Sequence, residues 1–73
     1  MSTFEEDIIK VKALKSGEHC YIAWSEEMGG VVYRDADIYT LCDVTGYGSY
    51  ENKEGEYSYE QIEVMVTIAH SWT

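Results

Sequence analysis

The chain predicts an α+β fold, an N-terminal helix packed on one face of a three-stranded antiparallel β-meander, with residues 1–73 forming a single domain. Three observations carry that reading. Residues 3–16 combine helical apolar spacing with start and stop signals at the two ends. Glu56 to Trp72 alternates with a period of two: Ile62, Val64, Val66, Ile68, His70 and Trp72 on one side, Tyr57, Tyr59, Gln61, Glu63 and Met65 on the other. β-branched residues dominate the apolar side, which predicts a strand buried on one face. Turn residues stand at Met28-Gly29-Gly30 and at Asn52-Lys53-Glu54-Gly55, where they divide the remaining chain into strands.

The helix is the most locally determined element. Ser2 or Thr3 serves as N-cap, and Glu5 or Glu6 three residues later completes a capping box. Acids fill the first turn and lysines the last, which suits the helix dipole. Glu6 and Lys10 form an i,i+4 pair in the favoured order. Phe4, Ile8, Val11 and Leu14 fall on one stripe with Ile9 alongside, and Gly17 is placed to end the helix as a left-handed residue.

Glu18 to Glu26 reads as the first strand, with Cys20, Ile22 and Trp24 on one face and His19, Tyr21, Ala23 and Ser25 on the other. Val31 to Thr45 reads as the second, broken or bulged at Arg34-Asp35-Ala36-Asp37. Its even face holds Val32, Ala36, Ile38, Cys42 and Val44; its odd face holds Tyr33, Asp35, Asp37, Tyr39, Leu41 and Asp43. Tyr47 to Tyr50 extends that strand or begins a loop. A three-residue turn closed by Gly55 places Val44 opposite Val64, Cys42 opposite Val66, Thr40 opposite Ile68 and Ile38 opposite His70, so the apolar faces coincide. The same turn type at Glu27–Gly30 sets Ile22 opposite Ala36 and Cys20 opposite Ile38. Ser58 to Gln61 has the form of a capping box, but the alternation around it favours a strand.

Composition narrows the function. Fourteen acids face five bases, a net charge of −9. Residues 1–16 sum to zero, so the whole imbalance lies from Gly17 onward, where only Arg34 and Lys53 are basic. Such a field repels nucleic acid and anionic lipid and favours a basic partner, and it also serves solubility. No apolar run is long enough to cross a membrane, and no secretion signal opens the chain. Two cysteines are too few for a disulfide scaffold, so a reduced, cytosolic setting is expected.

No catalytic signature is present. His19, Cys20, Cys42 and His70 lack metal-ligand spacing, and Gly46-Tyr47-Gly48 lacks the lysine and helix of a phosphate loop. No cofactor, metal or enzymatic activity is expected, and Cys20 and Cys42 read as small core residues beyond bridging distance. The candidate site is instead a surface. On the predicted register His19, Tyr21, Tyr33, Asp35, Asp37, Tyr39, Asp43, Tyr59, Glu63 and Met65 lie on the sheet face that no helix covers. Tyrosines give contact area at little entropic cost, and interleaved carboxylates could imitate phosphates toward an Arg/Lys-rich groove. Gly46 to Gly55, with Tyr47, Tyr50, Glu51, Glu54 and the following Glu56, reads as an acidic-aromatic finger or as a plain hairpin tip. The partner-binding set is therefore Tyr33, Asp35, Asp37, Tyr39, Asp43, Glu51, Glu54, Glu56, Tyr59 and Glu63.

Three roles use such a surface: an inhibitor that occupies a nucleic-acid site, an immunity protein or antitoxin that blocks a toxin, and a small structural or assembly protein. The opening segment MSTFEEDIIKVKALKSGEH, the tyrosine-acid meander YRDADIYTLCD…GEYSYEQIEVMVTIAHSW, the length and the charge together resemble the small acidic anti-CRISPR proteins of phages and mobile elements. Among these the chain is most similar to those directed at type I surveillance complexes, type I-C included. The resemblance implies a DNA mimic that keeps target DNA from the multi-subunit Cascade complex, at the subunit that reads the motif beside the target. The expected partner is a basic nucleic-acid-binding protein, with the chain a monomer in the cytoplasm of a bacterial host cell that binds neither nucleic acid nor membrane directly. The group shares no motif, so it assigns no individual residue.

Overall fold

The computed structural model describes residues 2–45 and 50–72. The elements follow in the order α1 (Phe4–Lys12), β1 (His19–Ile22), β2 (Met28–Asp35), β3 (Ile38–Thr45), β4 (Tyr50–Tyr57), a 3₁₀ turn (Tyr59–Gln61) and α2 (Ile62–His70). The fold is α+β, as its sequence predicts, but the antiparallel sheet has four strands in the order β1-β2-β3-β4 and two helices cover one of its faces.

α1 keeps its predicted start. The Thr3 hydroxyl accepts from the Glu6 N–H at 3.2 Å, and the Glu6 carboxylate accepts from the Thr3 N–H at 3.1 Å. That backbone bond is the main reason the Glu6 carboxyl lies below its ordinary value. The end comes sooner than predicted, with Ala13 as C-cap. Gly17 does take the left-handed conformation, φ +90°, but it serves the link to the sheet, where its N–H donates to the Arg34 carbonyl at 2.8 Å.

The largest correction concerns Glu56 to Trp72, which is not a strand beyond Tyr57: it turns through Tyr59–Gln61 into α2. Two periods coexist in this stretch. Ile62, Val64, Val66 and Ile68 alternate, yet Ile62, Met65, Val66 and Ala69 recur at i, i+3, i+4 and i+7, and these four are buried while Val64 is exposed. The capping box at Ser58 and Gln61 forms, with the Gln61 side chain accepting from the Ser58 N–H at 3.0 Å. A β-branched residue costs a helix at most about 0.7 kcal/mol, whereas burying a large apolar side chain stabilises by about 1.5–3 kcal/mol. Burial wins.

The turns move as well. Met28-Gly29-Gly30 is not a turn but the start of β2. The chain reverses just before it, with Ala23 at φ 51° and Ser25 bonded to the Met28 carbonyl through its N–H at 2.7 Å and its hydroxyl at 2.9 Å. The glycines are there because two tryptophans press on the strand from opposite sides. A Cβ on Gly29 would lie 2.6 Å from Trp24 Cε3, and one on Gly30 would lie 3.2 Å from Trp72 Cζ3. The supposed bulge at Arg34–Asp37 is the real β2–β3 hairpin: Asp35 pairs with Ile38, and Ala36 holds φ 52°. Ser16 accepts the Ala36 N–H at 2.9 Å, and Arg34 Nε donates to the Ala36 carbonyl at 2.8 Å. Asn52 to Gly55 lies within β4, where one unpaired residue, Glu54, makes a bulge opposite Leu41 and Cys42.

These shifts replace the predicted register. Cys20 faces Val32, Ile22 faces Gly30, Val32 faces Leu41, and Cys42 and Val44 face Lys53 and Glu51. The two-residue β2–β3 turn inverts parity, so the helix-facing set passes from even positions in β2 to odd positions in β3. The main core consequently joins Ile22, Val32, Tyr39 and Leu41 to Val11, Leu14, Ile62, Met65, Val66 and Ala69. Cys42 and Val44 join Val31 and Trp24 in a second, smaller cluster on the other face.

A polar contact ties the two helices together. Asp7 is fully buried, and its Oδ2 accepts from Ser2 Oγ at 2.8 Å and from the Ala23 N–H at 2.8 Å. His70 Nε2 lies 2.6 Å from the same oxygen, and Lys10 Nζ lies 3.6 Å from Oδ1. Lys10 also donates to the Tyr21 carbonyl at 2.8 Å, so α1 holds the outer edge of β1 at two points. His70 is therefore a partner of a buried carboxylate, where the sequence placed it at the edge of a β-sheet core.

Candidate interaction face

The sheet face opposite the helices carries His19 and Tyr21 from β1, Tyr33 and Asp35 from β2, and Glu51, Lys53 and Glu56 from β4, all brought to one side by the register. Four aromatic rings form a continuous row. The His19 centroid lies 5.9 Å from that of Tyr21 and 5.3 Å from that of Tyr33, and Tyr21 stands edge-on to Trp24 at 5.6 Å. Beneath the row lie Val31, Cys42 and Val44 with Trp24 packed against them. Tyr21 is 49% exposed and Tyr33 38%, so both rings offer area to a partner while resting on an apolar floor.

Two of the acids on this face, Glu51 and Glu56, have side-chain partners. The Tyr33 hydroxyl donates to the Glu51 carboxylate, 2.8 and 3.0 Å from its two oxygens. That bond, more than any other cause, pushes the Tyr33 phenol up to about 12. Lys53 pairs with Glu56 at 3.1 Å, and since both are exposed the pair contributes little stability. Asp35 continues the Tyr33 row, Asp37 is exposed in the adjoining turn, and Glu54 is exposed at the bulge.

Other predicted members lie elsewhere. Tyr39 is 1% exposed and belongs to the main core, because the hairpin inverts parity before it. The Arg34 guanidinium sits 5.4 Å from its ring. Asp43, paired with Gly30 and Asn52, is on the helix-side face. Tyr59 is exposed in the 3₁₀ turn, with Lys12 Nζ 5.7 Å from its ring centroid. Glu63 lies on α2 beside Phe4, Glu5, Ile8 and Ile9, and Met65 is buried in the core rather than on the uncovered face. Of the expected finger, Gly46, Tyr47, Gly48 and Ser49 lie outside the described residues. Its remainder, Tyr50 to Gly55, is strand. Trp24, assigned by alternation to the core side, reaches the uncovered face because Ala23 breaks the alternation.

Searches of protein-family models, curated proteins and solved structures give no significant match to this chain.

Chemistry elsewhere is limited. Among the described residues no group of three or more His, Cys, Asp or Glu is arranged to hold a metal ion. Cys20 and Cys42 are free thiols on opposite faces of the sheet; burial pushes Cys20 up to about 11 and raises Cys42 too. A cleft of about 310 Å³ opens between the β1–β2 turn and the end of α2, lined by Ala23, Ser25, Glu27, Met28 and Trp72 among others. Its hydroxyl, Ser25 Oγ, is committed to the Met28 backbone. Among the described residues no helix is long and apolar enough to cross a membrane.

Proposed function

We propose that this chain is an acidic protein inhibitor that binds a basic, nucleic-acid-binding surface of a partner protein and keeps nucleic acid out of it. The observation that carries the reading is the unequal treatment of the two charge signs. Arg34 is turned inward, its Nη1 donating to the Leu14 carbonyl at 2.6 Å. Lys10 contacts Tyr21 and Asp7 and Lys53 pairs with Glu56, while Lys12 and Lys15, both exposed, belong to α1 and the link after it rather than to the sheet. Asp35, Asp37, Glu51 and Glu54 are exposed on or around a sheet face that also displays tyrosines. Glu51 is held by Tyr33, and Asp35, Asp37 and Glu54 add exposed negative charge around it, which is what a groove evolved for phosphates attracts. Tyrosines between them supply apolar contact. The resemblance to anti-CRISPR proteins makes a type I surveillance complex the first partner to assay, at its DNA-binding subunits.

The test is competition. Purified type I complexes, I-C among them, are mixed with the protein and labelled target DNA. The reading expects DNA binding to fall as the protein is added, and inhibition to weaken with salt, since exposed charges are screened over about 8 Å at physiological ionic strength. Replacement of Asp35, Asp37 and Glu54 by lysine together should abolish inhibition and leave the fold intact. Unchanged inhibition by that folded variant removes the acidic face from the mechanism. An immunity protein or antitoxin would instead leave DNA binding untouched and capture a single toxin.

A further inference from the structure

We propose that the uncovered sheet face selects arginine over lysine on its partner, with guanidinium groups stacking on the rings of Tyr21 and Tyr33 and pairing with the Glu51 carboxylate. The proposal rests on the basic-partner reading above and adds to it a specific side-chain chemistry.

Net charge alone does not distinguish the two cations. The arrangement around Tyr33 does. Its ring is partly exposed, and the acid closest to it is not loose in solvent but hydrogen-bonded through both oxygens to the ring's own hydroxyl. A planar group lying on the ring near its hydroxyl end therefore meets a fixed carboxylate at the ring's edge. Each carboxylate oxygen has acceptor capacity beyond the single bond from Tyr33, and Glu51 is exposed. Guanidinium fits both demands: it is flat, weakly hydrated, and carries donors in a fork that suits a carboxylate. An ammonium is compact and strongly hydrated, so it gains the charge but little from the ring.

The neighbouring groups favour the same occupant. His19 lies between Tyr21 and Tyr33, its ring tilted 35° from Tyr33 and 86° from Tyr21, so aromatic surface is continuous across β1 and β2. Lys53, two residues from Glu51 on the same face, would repel a cation, but its ammonium is drawn to Glu56 at 3.1 Å. Asp35, two residues along from Tyr33, adds a second carboxylate on the same row. An arginine-bearing surface is thus matched in charge by the acids and in shape by the rings.

The experiment measures calorimetric binding of nona-arginine and nona-lysine peptides at equal, low ionic strength. The probes are free peptides, so the result does not depend on knowing the partner. The wild-type protein should bind nona-arginine about tenfold more tightly than nona-lysine. In the Tyr21→Leu/Tyr33→Leu variant, which keeps apolar bulk and loses both rings, the preference should shrink to about twofold, with nona-lysine affinity unchanged. Folding is checked by circular dichroism. Tyr21→Leu alone, which leaves the Tyr33–Glu51 bond in place, gives an intermediate preference and serves if the double variant does not fold. Equal wild-type affinities overturn the stacking proposal and leave the basic-partner reading standing. A preference that survives loss of the rings also overturns it. Failure of both peptides to bind overturns it and counts against the basic-partner reading as well.

Discussion

Removing the Asp7 carboxylate should destabilise this protein more than any surface change. The side chain is fully enclosed, and its Oδ2 gathers three polar contacts, from Ser2 Oγ and the Ala23 N–H at 2.8 Å each and from His70 Nε2 at 2.6 Å, with Lys10 Nζ 3.6 Å from Oδ1. Asp7→Ala leaves all three without that acceptor and opens a void between α1, α2 and the start of the β1–β2 turn. Leaving a buried polar group without its partner costs about 1–3 kcal/mol, and three groups lose this acceptor, so a total of about 3–5 kcal/mol is expected. A domain of this size has roughly 4–11 kcal/mol of stability in total, so about half could be lost. The melting temperature should fall by well over 10 °C, at about 4–8 °C per kcal/mol. Urea unfolding of Asp7→Ala, His70→Ala and the double variant gives the coupling. His70→Ala should cost less, because Asp7 retains Ser2, the Ala23 N–H and Lys10. The double variant should be more stable than additivity predicts by about 1–3 kcal/mol, since the second deletion removes a group already deprived of its partner. A cost below about 1 kcal/mol for Asp7→Ala, or strict additivity, would show that the contact does not hold the helices together.

Further outcomes follow from particular residues. Gly29→Ala should lower stability by about 1–3 kcal/mol, and by more than Gly30→Ala, because its Cβ would meet the Trp24 side chain at 2.6 Å and its backbone Cα at 2.9 Å; the reverse order in urea unfolding contradicts the close approach. Ala36→Gly should stabilise by about 0.5–1 kcal/mol, measured as a raised urea midpoint, because glycine tolerates the φ of 52° that alanine holds at a cost. The Tyr33 phenol should remain protonated at pH 11 in a site-resolved NMR titration and ionise by then in Glu51→Ala. Since the fold raises this phenol from 10 to about 12, the stability it contributes is complete below pH 10 and is lost as pH rises through about 12. Both thiols should react slowly with iodoacetamide at pH 8 in the folded protein and fast in urea, because burial raises both; rapid labelling of Cys20 in the native state would contradict its burial.

What the sequence conveyed depends on how far apart the deciding groups are. The start of α1 was readable because Thr3 and Glu6 are neighbours, and its apolar stripe led correctly to Val11 and Leu14. The β2–β3 hairpin was not, because its left-handed residue is an alanine held by Ser16 and Arg34 rather than a glycine or asparagine. Missing that one reversal exchanges the two faces of β3. Alternation alone puts Tyr39 outside, where the fold buries it, and puts Cys42 and Val44 in the main core, where the fold sets them beneath the aromatic row; the strand reading of Glu56 to Trp72 has a separate source, its own period of two. The candidate site fared unevenly for the same reason. Tyr33 and Asp35, upstream of the reversal, lie on the uncovered face with His19 and Tyr21, and Glu51 and Glu56 return to it in β4, whereas Tyr39, Asp43, Tyr59 and Glu63 lie elsewhere. Asp7 and His70 are 63 residues apart, and nothing local to either signals the other.

The hold of α1 on β1 has a consequence for how copies of the molecule meet in a crowded cell. A sheet grows when a free strand edge lends its backbone groups to another chain. Along β1 the outward Tyr21 carbonyl is occupied by Lys10 and the Ala23 N–H by Asp7. At the opposite margin, β4 interposes a bulge and the acids Glu51, Glu54 and Glu56. Edge-to-edge growth of the sheet is therefore hindered at both margins, by occupied backbone groups beside β1 and by charge and a bulge along β4.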